Sequence, residues 1–213
     1  MWKKNKKALI IAGILTLLPI LIGLYYWDRL PDPMAIHFSF NGTPDGYGSK
    51  PLAVFGLPVL LLALEALGIF AISYDPKKKN ISPKISSFII WLIPAISLVV
   101  SFLMYSCNLG YKTDIAKYCG LLIGILLIVS GNYLPKARQN YTVGIRIPWT
   151  PANEENWNRT HRLGGYLFVI GGFLITILSL LGMLSFPAFI IIVLVITLVP
   201  ILYSWHLHSA KNL

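Results

Sequence analysis

The sequence predicts an all-α polytopic membrane protein with six transmembrane helices, and composition and spacing together carry that prediction. Hydrophobic residues make up 56% of the chain and charged residues 12%, against a charged fraction of about one quarter in soluble domains. Mean hydropathy is +0.69, and the apolar residues gather in runs of about 20, the length a helix needs to cross a hydrocarbon core.

The first run, Ala8 to Trp27, follows a basic start at Lys3, Lys4, Lys6 and Lys7. It is longer than a signal-peptide core and no small-residue cleavage site follows, so it reads as a retained span. Leu52 to Tyr74 and Phe88 to Ser106 are the second and third spans, and Tyr118 to Leu134, at the short end of the range, is the fourth. Gly164 to Leu184 and Pro187 to Leu207 are the fifth and sixth, separated only by Ser185 and Phe186, which demands an antiparallel hairpin. Pro19, Pro58, Pro94 and Pro200 fall within spans and are expected to kink them.

A net charge of +10 would suggest nucleic acid in a soluble protein, but here the cations report orientation. The N-terminus carries four Lys or Arg, the 75–87 loop four, the 135–163 loop five and the C-terminus one; the 28–51 and 109–117 loops carry two each. By the positive-inside rule the N- and C-termini are cytoplasmic, the long 28–51 loop is extracellular and the long 135–163 loop is cytoplasmic. Direct nucleic-acid binding is not expected; the lipid bilayer is the first partner. The chain is expected to divide into an N-terminal membrane domain, 1–84, and a C-terminal one, 85–213.

Both long loops begin at Leu-Pro, Leu30-Pro31 and Leu134-Pro135, and both then alternate apolar and other residues. Met34, Ile36, Phe38 and Phe40 form one series, and Val143, Ile145, Ile147 and Trp149 the other, a period of two that predicts extended segments with one apolar face. After the second series, Thr150 is placed to cap a helix beginning at Pro151, with Glu154 and Glu155 in its positive first turn. Glu155 and Arg159 are spaced i, i+4, as are Trp157 and His161, and this helix could continue into span five. Trp157, His161, Arg159 and Arg162 would then lie at the membrane interface, where amphipathic aromatics and snorkelling cations are expected.

Span four contains Gly120, Gly124 and Gly131, and span five Gly165, Gly172 and Ser179 at sevens. Small residues on one face predict close helix packing where lipid gives no hydrophobic drive. Cys107 and Cys119 sit near the outer ends of spans three and four; packing thiols are the simpler reading and a disulfide the alternative.

Glu65 is the acidic residue inside a span. It should face the bundle interior, either as a proton or cation site of a transporter or as a neutral acid hydrogen-bonded to a neighbouring helix. His37, His161, His206 and His208 form no metal spacing, and no residue set supplies a nucleophile, a base and a group to orient it. No metal, no cofactor and no enzymatic activity are therefore expected.

Several motifs are specific. Gly131-Asn132, then Asn140, then "GIRIPW" from Gly144 to Trp149 and "ENWNRTHRLGG" from Glu155 to Gly165 resemble the signature of the SdpI family of bacterial membrane immunity proteins. "LPDPMAIHFSFNGTPDGYGSK", Leu30 to Lys50, is similar to the N-terminal domain of unknown function commonly fused to that family. Ile147, Pro151 and Ala35 depart from the residues usual at those positions.

The resemblance implies a multi-pass protein of the bacterial cell membrane that confers immunity to a secreted, membrane-active peptide toxin. It also implies, for the best-known member, sequestration of a cytoplasmic transcriptional repressor. The candidate partner-binding or motif residues are Asn132, Asn140, Gly144, Arg146, Pro148, Trp149, Trp157, Thr160, His161 and Arg162. In the first loop the candidates are His37, Phe38, Gly42, Asp45 and Lys50. A toxin arriving from outside would meet that loop, and a repressor the 135–163 loop. The competing readings are a small proton- or cation-coupled transporter or channel subunit using Glu65, and a membrane-stress factor without a cognate toxin.

Overall fold

A computed structural model of the protein describes residues 2–211, with side chains from 5 to 210; the two chain ends, and with them the expected cytoplasmic termini, lie outside the described residues. Among the described residues are six helices long and apolar enough to cross a membrane. They belong to α1 (Trp2–Tyr25), α2 (Leu57–Tyr74), α3 (Pro83–Asn108), α4 (Ile115–Tyr133), α5 (Glu154–Leu180) and α6 (Phe186–Lys211). The fourth span is of full length, 22 residues from Ile115 to Lys136. Lys117 hid its start in the sequence, but that residue lies in the first turn, where its amide donates to Asp114 Oδ1 at 3.0 Å. Of the prolines expected to kink spans, Pro19, Pro94 and Pro200 lie inside α1, α3 and α6. Pro58 likewise lies within the span Leu52–Tyr74, directly after a π-helical turn at Leu52–Gly56, an irregularity of the kind that accommodates a missing N–H inside a helix.

The chain forms two compact units. The first comprises Met1–Ser73 and Ser87–Cys119 and holds α1, α2 and most of α3. The loop after α1 is not purely irregular: β1 (Met34–Phe38) and β2 (Pro44–Gly48) form an antiparallel hairpin. Period two therefore predicted a strand correctly, but not its faces. Register shifts around His37 break the alternation, so Met34 and the adjacent Ala35 are both buried while Ile36 and Phe40 are exposed. Asn108, at the end of α3, acts as a strand partner: its side chain accepts from the Ala35 amide at 2.8 Å and donates to the Ala35 carbonyl at 2.9 Å. Below it, Leu30, Met34, Ala53, Val54, Met104 and Tyr105 form an apolar cluster.

Deeper in this unit several buried polar groups are paired, while the buried Ser101 hydroxyl has no partner. Thr16 Oγ1 on α1 donates to Glu65 Oε2 on α2 at 2.9 Å, and Ser97 Oγ on α3 donates to the Thr16 carbonyl at 2.8 Å. Tyr105 donates to the Pro19 carbonyl at 3.0 Å. Cys107 and Cys119 are both free thiols.

The second unit, Tyr74–Ser86 with Gly120–Leu213, is built on α4, α5 and α6. The small residues legible in the sequence meet across the α4–α5 contact. A Cβ on Gly131 would lie 2.8 Å from the Gly165 carbonyl oxygen, one on Gly172 would lie 2.6 Å from the Gly124 carbonyl oxygen, and one on Gly120 would collide with Ser179. Dispersion between closely approached backbones supplies the attraction that burial from water cannot supply inside lipid.

Candidate functional site

The motif residues gather at one end of the second unit, around the loop joining α4 to α5. That loop shows no strand; Val143 to Trp149 runs through bends and turns. The predicted alternation survives as burial from Ile145 to Trp149, with Arg146 and Pro148 exposed and the residues between them half-buried. Side chains, rather than a neighbouring strand, satisfy this backbone, which is why no sheet forms.

Asp75, immediately after α2, is the first of those side chains. It is 4% exposed and accepts from the Lys77 amide at 2.7 Å, the Tyr141 amide at 2.9 Å and Thr142 Oγ1 at 2.6 Å. Gln139 reinforces the junction, accepting from Lys77 Nζ at 2.6 Å and donating to the Pro151 carbonyl at 2.9 Å.

Asn140 is the second, and all its hydrogen-bonding capacity is used. Its Oδ1 accepts from the Thr142 and Val143 amides at 2.9 and 2.6 Å, and its Nδ2 donates to the Arg138 and Val143 carbonyls at 2.8 and 3.0 Å. A carboxylate could accept but not donate there, so an amide is required.

Gly144 follows at φ +122°, a conformation L side chains rarely adopt. A Cβ at this position would collide with His161 Nε2 and come within 3.2 Å of Trp157 Cζ2. The space is filled by the i, i+4 pair the sequence predicted: the rings of Trp157 and His161 stack with centroids 3.9 Å apart. Both residues are buried within the protein, so neither exposes its ring as an interfacial anchor would. The reason is hydrogen bonding. Trp157 Nε1 donates to the Ala137 carbonyl at 2.7 Å, and His161 Nε2 accepts from the Ile145 amide at 2.9 Å.

Thr150 does not cap α5. Its Oγ1 accepts from the Ile147 amide at 3.1 Å and donates toward the Ile145 and Ile147 carbonyls, closing a turn. The cap is Asn153, in extended conformation, whose side chain accepts from the Asn156 amide at 3.0 Å. Helix α5 therefore begins at Glu154, with Glu154 and Glu155 in its first turn and Glu155 ion-paired to Arg159.

A second polar chain joins loop, α5 and α6. Trp149 Nε1 donates to Ser204 Oγ at 2.8 Å, Ser204 Oγ donates to Asn156 Oδ1 at 2.5 Å, and Thr160 Oγ1 donates to the same oxygen at 3.0 Å. Trp149 also lies flat against His208, with ring planes 3° apart.

The sequence candidates thus separate. Asn140, Gly144, Trp149, Trp157, Thr160 and His161 enter one interlocked arrangement. Arg146 is exposed and reaches back to the Tyr141 carbonyl at 2.6 Å, Pro148 is exposed, and exposed Asn132 accepts from Lys136 Nζ at 3.0 Å. Arg162 faces outward in a concavity of about 840 Å³ with Glu155, Asn158, Arg159, Tyr166 and Tyr203. In the first unit, His37 pairs with Asp45 at 2.5 Å, Lys50 Nζ donates to the Trp27 carbonyl at 3.1 Å, Phe38 is half-buried, and Gly42 turns the hairpin at φ +83°. Glu65 lies inside that unit on Thr16.

Asp75, Asn156 and Ser204 were not legible as participants. Asp75 had one signal, an acid between an apolar run and a lysine run, and Asn156 had its place inside the "ENWNRTHRLGG" stretch; Ser204 had none, because its role depends on α5 and α6 lying side by side.

Residues 136–204 match the model of the SdpI/YfhL protein family, and residues 14–62 match a domain of unknown function, DUF1648. The chain is 32% identical over 211 residues to the immunity protein SdpI of Bacillus subtilis strain 168, an alignment covering 99% of this chain and 98% of that relative. No solved structure matches.

Proposed function

Because the chain belongs to the SdpI/YfhL family, we propose that it is a multi-pass cell-membrane protein that makes the cell carrying it immune to a secreted, membrane-active peptide toxin. The observation that carries this reading is the end-to-end similarity to a relative named as an immunity protein. The six apolar helices support the membrane location. The first loop, with its His37–Asp45 pair and exposed Tyr47, is the surface assigned to the toxin's side of the membrane.

The motif loop has a different task under this reading. Its buried residues hold the loop rigid, and what they present is the outward face of α5 around Arg162, Asn158, Tyr166 and Tyr203. This face is where a cytoplasmic repressor would dock, Arg and Tyr being residues favoured as anchors.

The test is replacement of the Bacillus subtilis relative by this chain in cells exposed to the toxin that relative resists. Survival close to that given by the relative is expected. Death at equal membrane abundance would refute the shared specificity. Co-purification of a cytoplasmic repressor with the wild-type chain, lost in Arg162→Ala, tests the docking face separately.

A further inference from the structure

At the ends of α3 and α4 that lie in the second unit, a concavity of about 590 Å³ is lined by Lys79, Lys84, Lys136 and Arg138, with Asn132 and Tyr133 beside them, and no acidic side chain lines it. Cations converging on one recess repel each other and raise the local concentration of anions. Their arrangement is partly fixed. Lys136 Nζ is held by Asn132 Oδ1 at 3.0 Å and lies 5.8 Å from the centre of the Tyr133 ring, and the Arg138 carbonyl is bonded by Asn140.

The depth of the recess identifies the anion. Pro83 opens the candidate span Pro83–Asn108, and Lys136 closes the candidate span Ile115–Lys136. A recess at the polar ends of two spanning helices lies where lipid phosphates lie, and an aromatic such as Tyr133 is at home there. An acidic protein would have to push a side chain into the headgroup layer to reach the same cations.

We propose that this recess is a docking site for the phosphate of an anionic phospholipid headgroup. The phosphate, with its single negative charge, would offset part of the positive charge of the recess and brace the wall that Asn140 ties to the motif loop. The reading is independent of toxin immunity.

The test uses the full chain purified in detergent and mixed with equal amounts of phosphatidylglycerol and phosphatidylcholine, with retained lipid counted by native mass spectrometry. Each cation near an anionic surface contributes about fivefold, so Lys84→Gln combined with Arg138→Gln should lower the preference for phosphatidylglycerol by about 25-fold. Lys112→Gln combined with Lys117→Gln, which removes the same charge from the 109–117 loop, should leave it unchanged. If the double variant loses helical signal, Lys79→Gln, on an exposed side chain, is expected to show a fall of about fivefold alone. Equal retention of both lipids by the wild type, or equal loss in both double variants, would overturn the proposal. Full displacement by inorganic phosphate would assign the recess to free phosphate instead. Unchanged lipid retention with lost binding of a polyglutamate peptide would assign it to an acidic protein.

Discussion

His161 Nε2 accepts a hydrogen bond from the Ile145 amide at 2.9 Å, while its Nδ1 faces the Trp157 carbonyl at 2.8 Å. An amide N–H only donates and a carbonyl only accepts, so the ring is neutral with its proton on Nδ1. The imidazole is thereby committed to holding the loop against α5. His161→Phe keeps the stack on Trp157 but leaves the Ile145 amide without its acceptor, at a cost of about 1–3 kcal/mol. A lower melting temperature in detergent is expected, and an unchanged one would contradict this assignment.

Asp75 serves three donors at once. Asp75→Ala should therefore be more damaging than His161→Phe, because several groups lose a partner together. Asp75→Asn should fall between them, since one of its two oxygens becomes a donor facing donors. Quantifying protein in the membrane fraction checks the order, and normal abundance of Asp75→Ala would refute the role.

Gly144 and Gly182 both have positive φ, +122° and +66°, but only Gly144 is crowded. Gly182→Ala should cost about 1–2 kcal/mol for conformation alone. Gly144→Ala adds the collision with His161 and should cost more, read as a larger fall in melting temperature. Equal falls would show that the ring stack yields freely.

Glu65 accepts from Thr16 inside the first unit. Glu65→Gln keeps an acceptor for that hydroxyl while removing the titratable group, so abundance and protection should both be retained. Lost protection at normal abundance would instead favour the proton-coupled transporter reading.

Sidedness is tested by cysteine labelling of intact cells in a background lacking Cys107 and Cys119. The 14 cations of the expected cytoplasmic segments against four in the others lead us to expect Asp45→Cys to be labelled and Glu154→Cys protected. The reverse pattern would invert the assignment of toxin and repressor to their loops.

The spans were legible because run length and charge are local properties; the small-residue faces of α4 and α5 were legible because glycine spacing is local too, but that they meet each other is shown only by the structure. What escaped the sequence depends on neighbours far along the chain. Trp157 reads as an interfacial aromatic until the Ala137 carbonyl is seen beside its indole. Thr150 before Pro151 reads as a cap until its hydroxyl is found closing a turn, and Asp75 carries no mark of the 66 residues that separate it from Tyr141. The alternation of the first loop likewise gave the strand but could not show that Asn108 would cover Ala35.

The division of labour in the motif loop is the central claim, and survival under toxin measured alongside membrane abundance tests it most directly for two variants. Asn140→Ala removes the amide that folds the loop and is expected to lower abundance and survival together. Arg162→Ala alters only the exposed face and should leave both unchanged while abolishing repressor capture. Normal abundance and survival in Asn140→Ala, or lost abundance in Arg162→Ala, would contradict a buried clasp beneath an exposed docking face.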